Sequence, residues 1–177
     1  MTTYIAFLRG VNVGAHNRMK MDELRALFES LGYDDVETYI QSGNVVFEAA
    51  GTDEAELREA VHDAIGDEFG YDVSVMIRTR EELADVVAGQ PFDVPGADGI
   101  RHYVTFLHEA PSDEQVEALL DAQTNAESFA VDGRAVYSEL DKDALGDGRF
   151  TDAGDTLGLE ATRRNWDVVT AVAELRE

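Results

Sequence analysis

Three cations, Arg9, Arg18 and Lys20, stand with Asn12, His16 and Asn17 in a stretch that contains no carboxylate. Guanidinium and ammonium groups hold phosphate or carboxylate through charge-assisted hydrogen bonds, and neighbouring amides can orient the bound group. Arg9 to Met21 spans 13 residues of a chain with 37 acidic residues among 177, so its freedom from acid has a chance of roughly one in twenty at that composition. Tyr39, Gln41, Ser42 and Asn44 add hydroxyl and amide groups further along. A second cluster, Thr162-Arg163-Arg164-Asn165-Trp166, again joins guanidinium, amide and aromatic groups. The candidate ligand-binding set is therefore Arg9, Asn12, Asn17, Arg18, Tyr39, Gln41, Ser42, Asn44, Arg163, Arg164, Asn165 and Trp166. It suits a small anionic ligand such as a nucleotide, a phosphate or a carboxylate. The same residues have a plain structural use. Polar, glycine-bearing loops form turns, arginines pair with acids elsewhere, and Asn165 can cap a helix anchored by Trp166. His16, in the same loop but outside this set, is the one candidate general base.

The elements around these residues decide whether they can meet. Tyr4 to Leu8 reads as a buried strand, and Leu24, Leu27, Phe28 and Leu31 trace a helix that stops at Gly32. Val36–Gln41 and Asn44–Glu48 read as two strands of a hairpin turning at Ser42-Gly43. A second helix from about Asp53 buries Leu57, Val61, Ile65 and Phe69, and Val73, Val75 and Ile77 alternate along a further strand. The order β-α-β-β-α-β is the split βαβ plan of a ferredoxin-like unit. That plan puts the loop after the first strand, the start of the first helix and the hairpin turn at one end of the sheet. Thr79 and Glu82 open a short helix through Leu83, Val86 and Val87.

After a Pro- and Gly-rich stretch the early pattern returns. Tyr4-Ile-Ala-Phe-Leu8 is echoed by Tyr103-Val-Thr-Phe-Leu107, Asp22-Glu23 by Asp113-Glu114, and the hairpin from Ser42 by Asp132-Gly-Arg-Ala-Val-Tyr137. The offsets are 99, 91 and 90 residues, in order, which points to internal duplication. The expected fold is α+β: two ferredoxin-like halves, 1–89 and 101–177, joined by a linker at 90–100 and followed by a C-terminal helix from Asn165. The second half is expected to stop at β-α-β-β, because Asp141 to Leu159 is polar and glycine-bearing.

Composition sets the surroundings. A formal charge of -23 with only two lysines, Lys20 and Lys142, predicts a folded protein of a cell with high internal salt, a halophile. The chain has no cysteine, which removes disulfide, thiol and thiolate-metal chemistry. No apolar run reaches the length of a membrane span, and the N-terminus lacks the pattern of a signal peptide, so a cytoplasmic location is expected. His16, His62, His102 and His108 lack metal-ligand spacing, and Asp141, Asp143 and Asp147 fail the calcium-loop pattern at Leu145 and Asp152. Neither a Walker A nor a G-x-G-x-x-G run occurs, and no cofactor is indicated.

At Arg9-Gly-Val-Asn-Val-Gly14, Thr38-Tyr-Ile-Gln-Ser-Gly-Asn-Val-Val-Phe47 and Ala161-Thr-Arg-Arg-Asn-Trp166 the chain resembles domain-of-unknown-function family 1697, nearly end to end. The resemblance implies a compact α+β fold with ferredoxin-like halves and implies no activity. The chain departs from the family pattern at Gly146-Asp-Gly-Arg149, where members carry a lysine-rich stretch, and at Ala171, where they carry a lysine. Three functions stay open, and whether the protein is an enzyme is among the open points. The first is a small-ligand protein acting at the Arg9–Lys20 loop. The second is a protein-interaction or self-association module. The third is single-stranded nucleic-acid binding, disfavoured because no basic stripe carries stacking aromatics.

Overall fold

The computed structural model describes residues 1–51 and 53–175. The chain is a mixed α+β protein with two four-stranded antiparallel sheets. The described residues divide into two compact units, one of 1–85 with 172–175 and the other of 86–171.

The first unit runs β1 (Thr2–Leu8), α1 (Met21–Ser30), β2 (Asp34–Tyr39), β3 (Asn44–Ala49), α2 (Glu54–Phe69) and β4 (Val75–Thr79), and α3 (Arg80–Ala88) begins in it. Its sheet has the order β2-β3-β1-β4. Helix α1 buries Leu24, Leu27 and Phe28, the i, i+3, i+4 stripe of an amphipathic helix. Helix α2 is capped by Asp53, which accepts from Ala55 N, and closes on Gly70 in the left-handed region. Both helices bury their stripes with Tyr4, Ala6, Leu8, Val45, Phe47, Val75 and Ile77 in one core.

The strand reading at Val73–Arg78 needs correcting. Met76 and Arg78 are buried as fully as Val75 and Ile77, and so are Ile5, Phe7 and Val46. Residues of both strand parities are thus buried, and the strand itself begins at Val75 rather than Val73.

The second unit contains β5 (Ile100–Leu107), α4 (Asp113–Asp121), β6 (Glu127–Asp132), β7 (Ala135–Asp141), α5 (Lys142–Leu145), α6 (Ala153–Leu157) and β8 (Ala161–Asn165), and α7 (Trp166–Glu174) begins in it. The sheet order is β6-β7-β5-β8. Leu107, Leu119, Phe129, Val136, Leu157 and Ala161 form its core. Tyr137 is buried with its hydroxyl donating to Val86 O at 2.6 Å, and burial, helped by Asp132, pushes its phenol up to about 12.

The expectation that this half stops at three strands is overturned. Ala161–Asn165 pairs antiparallel with β5, from Leu107↔Ala161 to Tyr103↔Asn165. Two consecutive arginines disguise this strand. Arg164 is nonetheless buried, with its guanidinium donating to Thr162 Oγ1 at 2.7 Å and to Arg163 O at 3.0 Å. Among the described residues no helix is long and apolar enough to cross a membrane, and no group of three or more His, Asp or Glu is placed to hold a metal ion.

Candidate functional site

In the first unit, the end of β1, the start of β4 and the turn between β2 and β3 come together through backbone bonds. Leu8 N donates to Gly43 O and Arg9 N to Ser74 O, both at 2.9 Å. Gly43 is required here: its φ is +82°, and a Cβ would sit 2.8 Å from that of Leu8. The turn differs from the sequence reading. Strand β2 ends at Tyr39, and Ile40 adopts φ +47° with 52% of its surface exposed. A β-branched residue in the left-handed region is strained by about 1–2 kcal/mol, so the surrounding bonds must hold it there.

Asn12 is the clamp between loop and turn. Its Nδ2 donates to Gln41 O at 2.8 Å and to Met19 O at 3.0 Å, while its Oδ1 accepts from Met19 N at 2.9 Å. Asn12 and Asn17 are both left-handed, the conformation asparagine tolerates better than other side-chain-bearing residues. Asn17 Nδ2 donates to Gly10 O at 3.2 Å, and Asn12 N donates to Asn17 O at 3.1 Å. Arg18 lies on the exposed side with Nη1 donating to Gly14 O at 3.1 Å, and its carbonyl accepts from the Tyr71 hydroxyl at 2.8 Å. Asn44 is buried, donating to Tyr39 O at 3.0 Å and to Ser42 Oγ at 2.9 Å.

Arg9, Asn12, Asn17, Arg18, Tyr39, Gln41, Ser42 and Asn44 are thus gathered at one end of the first unit. Their roles separate. The amides of Asn12, Asn17 and Asn44 tie backbone to backbone, while Arg18, Lys20 and Gln41 are exposed and Arg9, Tyr39 and Ser42 half-buried. Such an end can bind charge, since it carries donors and cations.

Replacing Asn12 by alanine is expected to cost about 2–3 kcal/mol, from three lost hydrogen bonds and a left-handed backbone that alanine resists. Asn12→Gly keeps the backbone and should cost about 1 kcal/mol less. Urea denaturation of both variants measures the difference. Equal losses would mean that the positive φ contributes nothing.

The remaining four residues lie in the second unit and do not act alike. The Arg163 guanidinium sits between the rings of Tyr103 and Phe150, 3.9 and 3.7 Å from their centroids. Burial pulls its pKa down, against Tyr103, Asp152 and Glu127, which raise it. Burial also pushes Arg164 down to about 10. Both arginines belong to strand β8, and of this cluster only Asn165 and Trp166 stand at the start of α7. Asn165 Oδ1 accepts from Asp167 N at 2.9 Å, the expected cap.

Asn165 and Trp166 also line a cleft of about 880 Å³, together with the loop from Val94 to Gly99, Arg101 and His102. The composition of that loop predicts a linker, and nothing in the spacing of His102 singles it out. His102 Nε2 lies 2.9 Å from Glu139 Oε2. The register of β5 with β7, which sequence alone does not fix, sets His102 directly across from Glu139.

The fold and this site define a two-sheet α+β protein that presents a hydrogen-bonded, cation-bearing loop. The chain belongs to the family described as "Protein of unknown function (DUF1697)", which matches residues 1–137. The Ala161–Trp166 motif lies beyond the matched stretch, so the match is shorter than the near end-to-end resemblance expected. A solved structure of the conserved bacterial protein SP0830 from Streptococcus pneumoniae is similar in fold, with a TM-score of 0.78 and 21% identity over 98% of this chain and 97% of that one. No curated protein matches.

Proposed function

We propose that the acid-free loop Arg9–Met21, at one end of the first unit, binds the anionic group, phosphate or carboxylate, of a small ligand. Arg9, Arg18 and Lys20 supply the charge, and Tyr39, Gln41 and Ser42 orient the bound group. The clamp from Asn12 to Gln41 carries this reading: it joins the cation-bearing loop to the hydroxyl- and amide-bearing turn before any ligand arrives. Preorganisation of that kind lowers the entropic cost of binding. Asn12, Asn17 and Asn44 act as positioning residues. Arg163 and Arg164, held within their own unit, serve the fold.

A melting-temperature screen in 2 M potassium chloride with pyrophosphate, sugar phosphates and dicarboxylates tests the proposal. A ligand at 100 times its dissociation constant adds about 2.7 kcal/mol, which is roughly 5–10 °C for a chain of this size. The rise should vanish in the double variant Arg18→Ala, Lys20→Ala. No rise with any anion, or an equal rise in the variant, would remove the proposal. In that case an interaction surface is the better reading, favoured by the exposure of Val13 (60%) beside Ile40 at the same end.

We also infer that the halves arose by duplication of a ferredoxin-like unit, around a joining segment at 90–100. Support comes from the matching strand orders and from a buried arginine at the same register in each sheet. Arg78 lies opposite Ile5, and Arg164 opposite Val104. A cytoplasm of high salt, as in a halophile, is the setting that the charge favours.

A further inference from the structure

The cleft of the second unit is independent of the anion reading, and its chemistry differs. Its volume of about 880 Å³ lies within the range of small-molecule sites. Trp166, the only tryptophan in the chain, forms part of its wall and is half-buried. A half-buried indole offers a planar face to a ring at little entropic cost.

Backbone bonds tie the walls of the cleft together. Ile100 N donates to Ala97 O at 3.0 Å, and Lys142 N to Gly99 O at 2.9 Å. The loop approaches β5 so closely that a Cβ on Gly96 would lie 2.8 Å from Ile100 Cγ2 and 3.2 Å from His102 Cε1. The His102 side chain is only 5% exposed, and its bond to Glu139 sets the ring orientation.

The ionised groups of the lining then select the ligand. Asp98 and Asp167 stand against the single cation Arg101. Carboxylates accept hydrogen bonds and repel phosphate, so this lining favours a neutral molecule rich in donors. A vicinal diol satisfies a carboxylate with two hydroxyl groups, and a planar heteroaromatic ring satisfies the indole. We propose that this cleft binds a nucleoside-class ligand, an unphosphorylated planar base bearing a ribose diol, with Trp166 against the base and Asp98 or Asp167 on the diol.

The lone tryptophan reports on its own site. Trp166 fluorescence would be titrated in 2 M potassium chloride with adenosine, guanosine, cytidine and uridine, then with adenosine 5′-monophosphate, 2′-deoxyadenosine and inorganic phosphate. At least one nucleoside is expected to give a saturable change. The monophosphate and the deoxynucleoside should bind more weakly, and inorganic phosphate should give no change. Asp98 and Asp167 are exposed, so Asp98→Asn and Asp167→Asn should fold normally. One of these variants should weaken nucleoside binding by about tenfold, the loss of a hydrogen bond to a charged group. No saturable change with any nucleoside, tighter binding of the monophosphate, or both variants binding like wild type would overturn the proposal. A phosphate response lost in the Arg18→Ala, Lys20→Ala variant concerns only the other site.

Discussion

Moving the protein from 2 M to 0.1 M potassium chloride is expected to lower its melting temperature by about 10 °C, the equivalent of roughly 3–5 kcal/mol for a chain of this length. The charge of -23 leaves 23 more acids than cations, so mutual repulsion grows as salt is diluted. Helices α1, α2, α3, α4 and α7 each begin with acidic residues, which suit the positive end of the dipole. None of them ends with a basic residue. Asp67 and Glu68 sit in the last turn of α2, where the dipole opposes them. The Arg25–Asp22 pair, at 3.7 Å and largely exposed, offsets little of this. At 0.1 M salt the screening length is about 10 Å and neighbouring acids feel each other, whereas above 1 M it falls to about 3 Å or less. A salt series of thermal melts measures the slope. A melting temperature that stays flat, or falls with added salt, would contradict the electrostatic account.

Phe47→Ala should be the most damaging single substitution in the first unit, at about 3–5 kcal/mol. Phe47 is fully buried and lies at the centre of an aromatic cluster. Its ring centroid is 4.9 Å from Tyr33, 5.2 Å from Phe28 and 5.8 Å from Tyr4. Truncation removes the transfer energy of the ring, leaves a cavity lined by stiff rings, and breaks three aromatic contacts at once. Phe47→Leu keeps most of the volume and should cost no more than about 1.5 kcal/mol. Urea midpoints in molar potassium chloride would separate the two. Similar losses for alanine and leucine would mean that ring packing, rather than volume, holds this core.

Much of this architecture was legible in the sequence because it rests on short-range rules. The stripe Leu24-Leu27-Phe28, the helix start near Asp53, the helix opening on Asp113-Glu114, and the hairpin echo all became elements. What escaped depended on distant partners. Strand β8 was hidden because Arg163 and Arg164 read as surface residues. Their burial follows from two aromatic rings around the first and from Thr162 beside the second.

The candidate loop shows the same limit in another form. Residue types marked Asn12 and Asn44 as polar and well placed, yet type alone does not tell whether an amide faces a ligand or a backbone carbonyl. Ile40 gave no cue at all, since a β-branched residue argues against a left-handed turn. The cleft was overlooked because Pro- and Gly-rich segments read as linkers. Only the register of β5 with β7 sets His102 against Glu139 beside that segment.

The most direct test of the central claim is an amide chemical-shift map of the protein titrated with pyrophosphate in molar potassium chloride. The account predicts saturable shifts confined to residues 9–20 and 39–44, absent in the Arg18→Ala, Lys20→Ala variant. Shifts that never saturate, or that gather elsewhere in the chain, would contradict it.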